Sequence, residues 1–181
     1  MRSVYALLLS PLLMLGACAT TPTPQTPQTV PSVDIARYSG RWHEVARFPQ
    51  RFQDSSSLRC EEVTADYQQA QGGGITVLNE CVNALDPARA RRSVRGEAYA
   101  VEGSNNARLR VSFFWPFYAD YWVLGLDLDY QWAVVGTPNR EYLWILSRTP
   151  SLAAPKMEQA LAIARAQGFD LSRLIRSAPP G

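Results

Sequence analysis

The sequence predicts an all-β domain of eight antiparallel strands, a barrel or a sandwich, followed by a single α-helix. Segments rich in β-branched and aromatic residues recur about every ten residues, near 41–48, 60–70, 74–82, 93–102, 108–114, 121–127, 130–136 and 141–148. Between them stand clusters that supply the positive or fixed φ values of tight reversals: Gln71-Gly72-Gly73-Gly74, Gly103-Ser104-Asn105-Asn106 and Gly136-Thr137-Pro138-Asn139. Past Pro150 the apolar period lengthens, with Met157, Leu161 and Ala164 at helical spacing in an alanine-rich stretch that Gly168 can end. That marks one helix of about three turns. Phe169, Leu171, Leu174 and Ile175 then give a short apolar segment expected to pack back on the strands.

Ahead of the strands the chain changes character twice. Arg2 precedes an apolar run from Val4 to Leu15, broken by Ser10 and Pro11. Such a run reads as a secretory signal and is too short for a membrane span, which takes roughly 20 residues. Leu15-Gly16-Ala17-Cys18 resembles the lipobox of bacterial lipoproteins, in which the chain is cut before the cysteine and the cysteine is acylated. Each buried methylene contributes about 0.8 kcal/mol and one acyl chain holds only marginally, so the several chains expected on Cys18 make a stable membrane anchor. Ala19 stands where an aspartate would resemble an inner-membrane retention signal, so an exported, lipid-anchored protein on the periplasmic face of the outer membrane is expected. From Ala19 to Ser32, Thr, Pro and Gln dominate, a composition that buries no core and reads as an extended tether. The expected organisation is a signal peptide at 1–17, lipidated cysteine and tether at 18–33, a folded domain at 34–176 and a tail at 177–181.

The chain of 181 residues carries 18 Lys and Arg against 16 Asp and Glu. Losing Arg2 with the signal leaves the mature chain at a formal +1, which implies no nucleic-acid partner. With Cys18 given to lipid, Cys60 and Cys81 are the remaining thiols, and export places them where disulfides persist, so they are expected to pair. The opposite reading keeps Cys60 as a free thiol. The two exclude each other.

Gly40-Arg41-Trp42-His43-Glu44-Val45-Ala46-Arg47 resembles the first lipocalin motif, a glycine two residues before a tryptophan at the start of strand one. Leu126-Asp127-Leu128-Asp129-Tyr130-Gln131-Trp132-Ala133 is similar to the second, and Trp144-Ile145-Leu146-Ser147-Arg148-Thr149-Pro150 to the third, in which an arginine ends strand eight. Their order and spacing, followed by one helix, resemble the family from Asp34 to Arg176. Within it the chain resembles the bacterial outer-membrane lipoprotein group related to apolipoprotein D, through Trp42, Glu44, Ala46 and Arg47, Val111-Ser112-Phe113-Phe114, and Tyr142 to Arg148. It departs at His43, commonly a tyrosine in that group, and at Leu128 between the acids of the second motif. The resemblance implies an eight-stranded antiparallel up-and-down lipocalin barrel with one C-terminal α-helix. It also implies a hydrophobic ligand such as a fatty acid or lysophospholipid, held for storage, transport or envelope maintenance, and no cofactor.

In an up-and-down meander alternate turns share one end of the barrel. Gly40, Trp42, the 127–130 turn and Arg148 fall at the same end, where an arginine stacked on a tryptophan with its other donors on backbone would form a structural plug. Turns 49–59, 83–92, 115–120 and 137–140 fall at the other, the mouth, where Cys60 and Cys81 lie nearly opposite each other. Side-chain alternation puts Tyr142, Trp144 and Leu146 on the inward face with Arg148, and groups Trp42, Glu44 and Ala46 inside strand one. Tyr67, Tyr99, Phe113 and Tyr121 are further candidate ligand contacts. These aromatics suit a packed core as well as a cavity; the resemblance favours the cavity. Trp115, Phe117 and Tyr118 place aromatics at the mouth, where they could gate the cavity, touch a membrane or form a homodimer contact. Arg51, Arg59, Arg89, Arg91 and Arg92 bring positive charge there, diluted by Asp54, Glu61, Glu62 and Asp86.

One histidine, no Gly-x-Ser-x-Gly elbow and no glycine-rich phosphate loop point away from a histidine-rich metal site and from the common hydrolase and nucleotide chemistries. A binding protein rather than an enzyme is expected. The rival readings are an isomerase-like lipocalin using Cys60 as cavity nucleophile, and a structural envelope protein whose barrel is filled.

Overall fold

The computed structural model describes residues 25–177. The expected signal peptide, Cys18 and the tail after Ser177 lie outside them. Eight strands follow one another, β1 (Gly40–Arg47), β2 (Cys60–Gln69), β3 (Ile75–Asn83), β4 (Arg91–Ala100), β5 (Arg108–Phe114), β6 (Phe117–Leu126), β7 (Trp132–Gly136) and β8 (Leu143–Ser147). Each pairs antiparallel with its chain neighbours, and β1 pairs with both β8 and β2, which closes the barrel. The β5–β6 reversal is tighter than expected: Phe114 pairs with Phe117, so Phe117 and Tyr118 belong to β6 and the tip is only Trp115-Pro116. Strand seven starts later than expected because Tyr130, at φ 58°, still belongs to the turn.

The helix α2 (Ala154–Ala166) lies on the outside of β6 and β7 and buries Met157, Ala160, Leu161 and Ala164. Gly168, at φ +81°, ends it: its N–H reaches Arg165 O while Phe169 N–H reaches Ala164 O, satisfying two of the last carbonyls. Strand alternation between the interior and the underside of this helix explains why all of β7 is buried. Ala133 and Val135 join the interior cluster, whereas Trp132 and Val134 join the cluster under α2. The apolar segment after Gly168 resolves into a short 3-10 turn and β9 (Ile175–Arg176), which pairs with Ala46 and Arg47 of β1.

Sequence reading missed one element. Asp34 accepts hydrogen bonds from Ala36 N and Arg37 N and so caps a single turn, α1 (Ile35–Tyr38), which lays Tyr38 across the closed end. The tether expectation also needs correction over residues 25–33. Val30 N–H bonds Val123 O, Val33 N–H bonds Asn105 O, and Gln28 N–H bonds the Gln167 side chain, while Pro27 and Val33 are buried. Pro27, Val30 and Val33, three apolar side chains spaced through a polar stretch, suffice to seat it along β6, which composition averaged over the segment conceals.

A candidate ligand cavity closed by a plug and a lid

The closed end is built as expected. Gly40 opens β1 at φ +92°, and Trp42, wholly buried, donates from Nε1 to Tyr38 O at 2.8 Å. The Arg148 guanidinium lies 3.8 Å from the Trp42 ring centre. It donates to Arg37 O at 2.7 Å, Arg41 O at 2.8 Å, and Tyr38 O and Tyr130 O at 3.2 Å, tying α1, β1 and the β6–β7 turn together. Four of its five N–H groups are thus spent on backbone carbonyls of the closed end rather than on a ligand path.

Above this plug the barrel encloses a cavity of about 580 Å³. Its floor is aromatic: Tyr67, Tyr121 and Trp144 line it, and the Tyr121 hydroxyl joins those of Tyr38 (2.7 Å) and Tyr67 (3.0 Å). Burial pushes the Tyr67 phenol up to about 12, so these groups act as neutral donors. Three hydroxyl protons serve two hydrogen bonds, which leaves one donor over. Val63, Val77, Val111, Phe113 and Leu146 make the walls apolar.

Five of the expected contacts, Glu44, Tyr67, Phe113, Tyr121 and Trp144, line the cavity. Tyr142 stacks on Trp144 at 5.8 Å and faces Phe52 at 6.0 Å, above the lining rather than in it. Tyr99 is on the wrong face. Ala98 is the fully buried inward residue of β4, so Tyr99 points out, 45% exposed, and donates to Glu97. Ala46 is buried but packs under α2, because a bulge between Glu44 and Ala46 in the pairing with β8 shifts the alternation by one residue.

The same bulge brings in a residue that sequence reading missed. Arg47 turns back beside Glu44, 3.4 Å away, and its Nη2 meets Asp54 at 2.5 Å, with both Glu44 and Arg47 buried. Asp54 belongs to the 48–59 segment, which folds over the mouth so that Phe52, Gln53 and Leu58 line the cavity, with Gln53 donating to Glu44 at 3.0 Å. The result is a lid latched by a buried ion network. An interrupted alternation around Arg47 was the only signal available, and nothing in the sequence placed Asp54 against it.

Burial raises Glu44 from its ordinary 4.5 to about 7, with the Arg47 charge opposing the rise. The folded protein therefore holds this proton more tightly than the unfolded chain, so the stability it contributes is complete below about pH 4.5 and is lost as pH rises through about 7. Thermal unfolding between pH 5 and 8 is expected to show a melting temperature that falls with pH, and Glu44→Gln, which keeps the bond to Gln53, is expected to flatten that slope. An unchanged slope would mean that Glu44 titrates as an ordinary carboxylate.

At the rim Cys60 and Cys81 form a disulfide with Cα atoms 5.3 Å apart. A closed up-and-down barrel with an outer helix, a tryptophan–arginine plug and an apolar cavity is one architecture, and the lipocalin-like domain family matches residues 33–179. The chain belongs to the lipocalin family. This lipocalin is 41% identical over 169 residues to the outer membrane lipoprotein Blc of Citrobacter freundii, covering 93% of this chain and 92% of that one. It is 28% identical to mouse apolipoprotein D, over 88% of this chain and 81% of that protein. Insecticyanin from the tobacco hornworm Manduca sexta shares the fold at a TM-score of 0.67 and 19% identity, over 86% and 85% of the two chains.

Proposed function

We propose that this lipocalin is held on the outer membrane by acyl chains on Cys18, facing the periplasm, and captures fatty acids or lysophospholipids without catalysing a reaction. The observation that carries the reading is the largely apolar cavity of about 580 Å³ beneath the lid, within the range that takes small ligands. A barrel filled by its own side chains would leave no such space. When Tyr38 donates to Tyr121, the Tyr121 proton is free for a carboxylate, ester or hydroxyl of a ligand, and the apolar walls take its chain. The relatives named outer membrane lipoproteins support the location. The isomerase reading loses its nucleophile, since Cys60 is bonded to Cys81.

Displacement of a fluorescent fatty acid from the Cys18→Ser chain tests the reading. Trp144→Ala, which removes cavity wall rather than plug, is expected to weaken binding about tenfold, a change of roughly 1.4 kcal/mol, with little change in melting. A wild-type chain that takes up no fatty acid or lysophospholipid would overturn the proposal.

A further inference from the structure

The mouth carries an exposed aromatic surface that extends beyond the cavity lining. Phe114, Trp115 and Phe117, at the β5–β6 tip, are 73%, 80% and 76% exposed, and Phe52 on the lid is 61% exposed. Phe52 and Phe114 both line the cavity, which sets these exposed rings at its mouth, and grouped apolar surface of this kind marks interaction sites. Around it stand five arginines (51, 59, 89, 91 and 92); Arg59, Arg89 and Arg91 pair with Glu61 or Glu62, and among the described residues Arg51 and Arg92 have no carboxylate within 4.0 Å.

The path of the N-terminal segment gives this patch a direction. From Val33 at the closed end, residues 33 to 25 run back along β6 towards the mouth, where the Gln25 carbonyl accepts from Arg140 in the β7–β8 turn. That turn and the Trp115-Pro116 tip lie at the same end of the barrel. Gln25 is seven residues from Cys18, at most about 25 Å of fully extended chain. A ten-residue strand alone spans about 33 Å. An anchor at Cys18 therefore tethers the molecule by its open end.

We propose that the barrel docks mouth-down on the bilayer that holds its anchor, with the Phe114–Phe117 tip and Phe52 in the interface and the unpartnered arginines at lipid phosphates. Aromatic rings settle at the headgroup level, and arginine pairs with phosphate in two-pronged fashion. Ligand then passes between bilayer and cavity without crossing water. This rests on the anchored-binder reading above.

The test uses the intact acylated lipoprotein in vesicles of phosphatidylethanolamine and phosphatidylglycerol with brominated acyl chains, which quench nearby tryptophan. The chain is expected to float with the vesicles and to be quenched, and Trp115→Phe is expected to float equally while losing most of the quenching. A chain that floats with Trp115 unquenched, or in which Trp115 is shielded by a second copy in sedimentation, refutes the docking and leaves the anchor intact. A chain that fails to float refutes the anchor and the docking together. Fatty-acid uptake by the Cys18→Ser chain in solution reports on the cavity independently of either.

Discussion

Arg148→Ala is expected to lower the free energy of unfolding by about 3 kcal/mol, the combined loss of charge-assisted hydrogen bonds and a cation–π contact after allowing for their non-additivity. The side chain makes four bonds to backbone carbonyls from three separate parts of the chain and covers Trp42 at 3.8 Å. Removing it opens the closed end to water and takes a donor from the Arg37, Arg41 and Tyr130 carbonyls, while Tyr38 O keeps only its bond from Trp42. Arg148→Lys keeps the charge but has no planar fork to reach carbonyls that diverge, so it should recover less than half of the loss. Urea unfolding measures both. Ligand affinity measured well below the transition should change little, since Arg148 faces the plug and not the cavity.

Breaking the Cys60–Cys81 bond is expected to cost nearly as much. The cysteines are 21 residues apart. Closing a loop of that length restricts the unfolded chain by about 3 kcal/mol. The Cys60→Ser, Cys81→Ser double variant should therefore unfold at lower urea than the wild type, by the same amount that dithiothreitol lowers the wild-type midpoint. Titration of the unfolded, unreduced chain should find neither Cys60 nor Cys81 reactive. Two free thiols there would restore the nucleophile that the enzyme reading needs.

The legible parts were those set by short-range rules. Glycine-rich reversals and β-branched runs located all eight strands of the barrel, and counting turns placed Trp42 and Arg148 at one end. Alternation chose the inward face of β8 correctly because that strand is regular from Leu143 to Ser147. It failed on β1, where a bulge after Glu44 moves Ala46 under the helix and turns Arg47 towards Glu44. It failed for Tyr99 because a bare tyrosine carries no parity until its strand partners are fixed, and Ala98 proved to be the inward neighbour. The Arg47–Asp54 latch joins a strand to a loop seven residues on, and the seating of residues 25–33 joins the chain's start to β6. Both depend on tertiary placement that no local pattern encodes.

Native mass spectrometry of the lipoprotein purified from membranes tests the central claim most directly. A cavity that captures lipid should release, on collisional activation, a fatty acid or lysophospholipid at up to one per barrel, and Trp144→Ala should carry less of it. Protein that carries no lipid beyond its own covalent acyl chains, and that takes up none when fatty acid is added, would contradict the account.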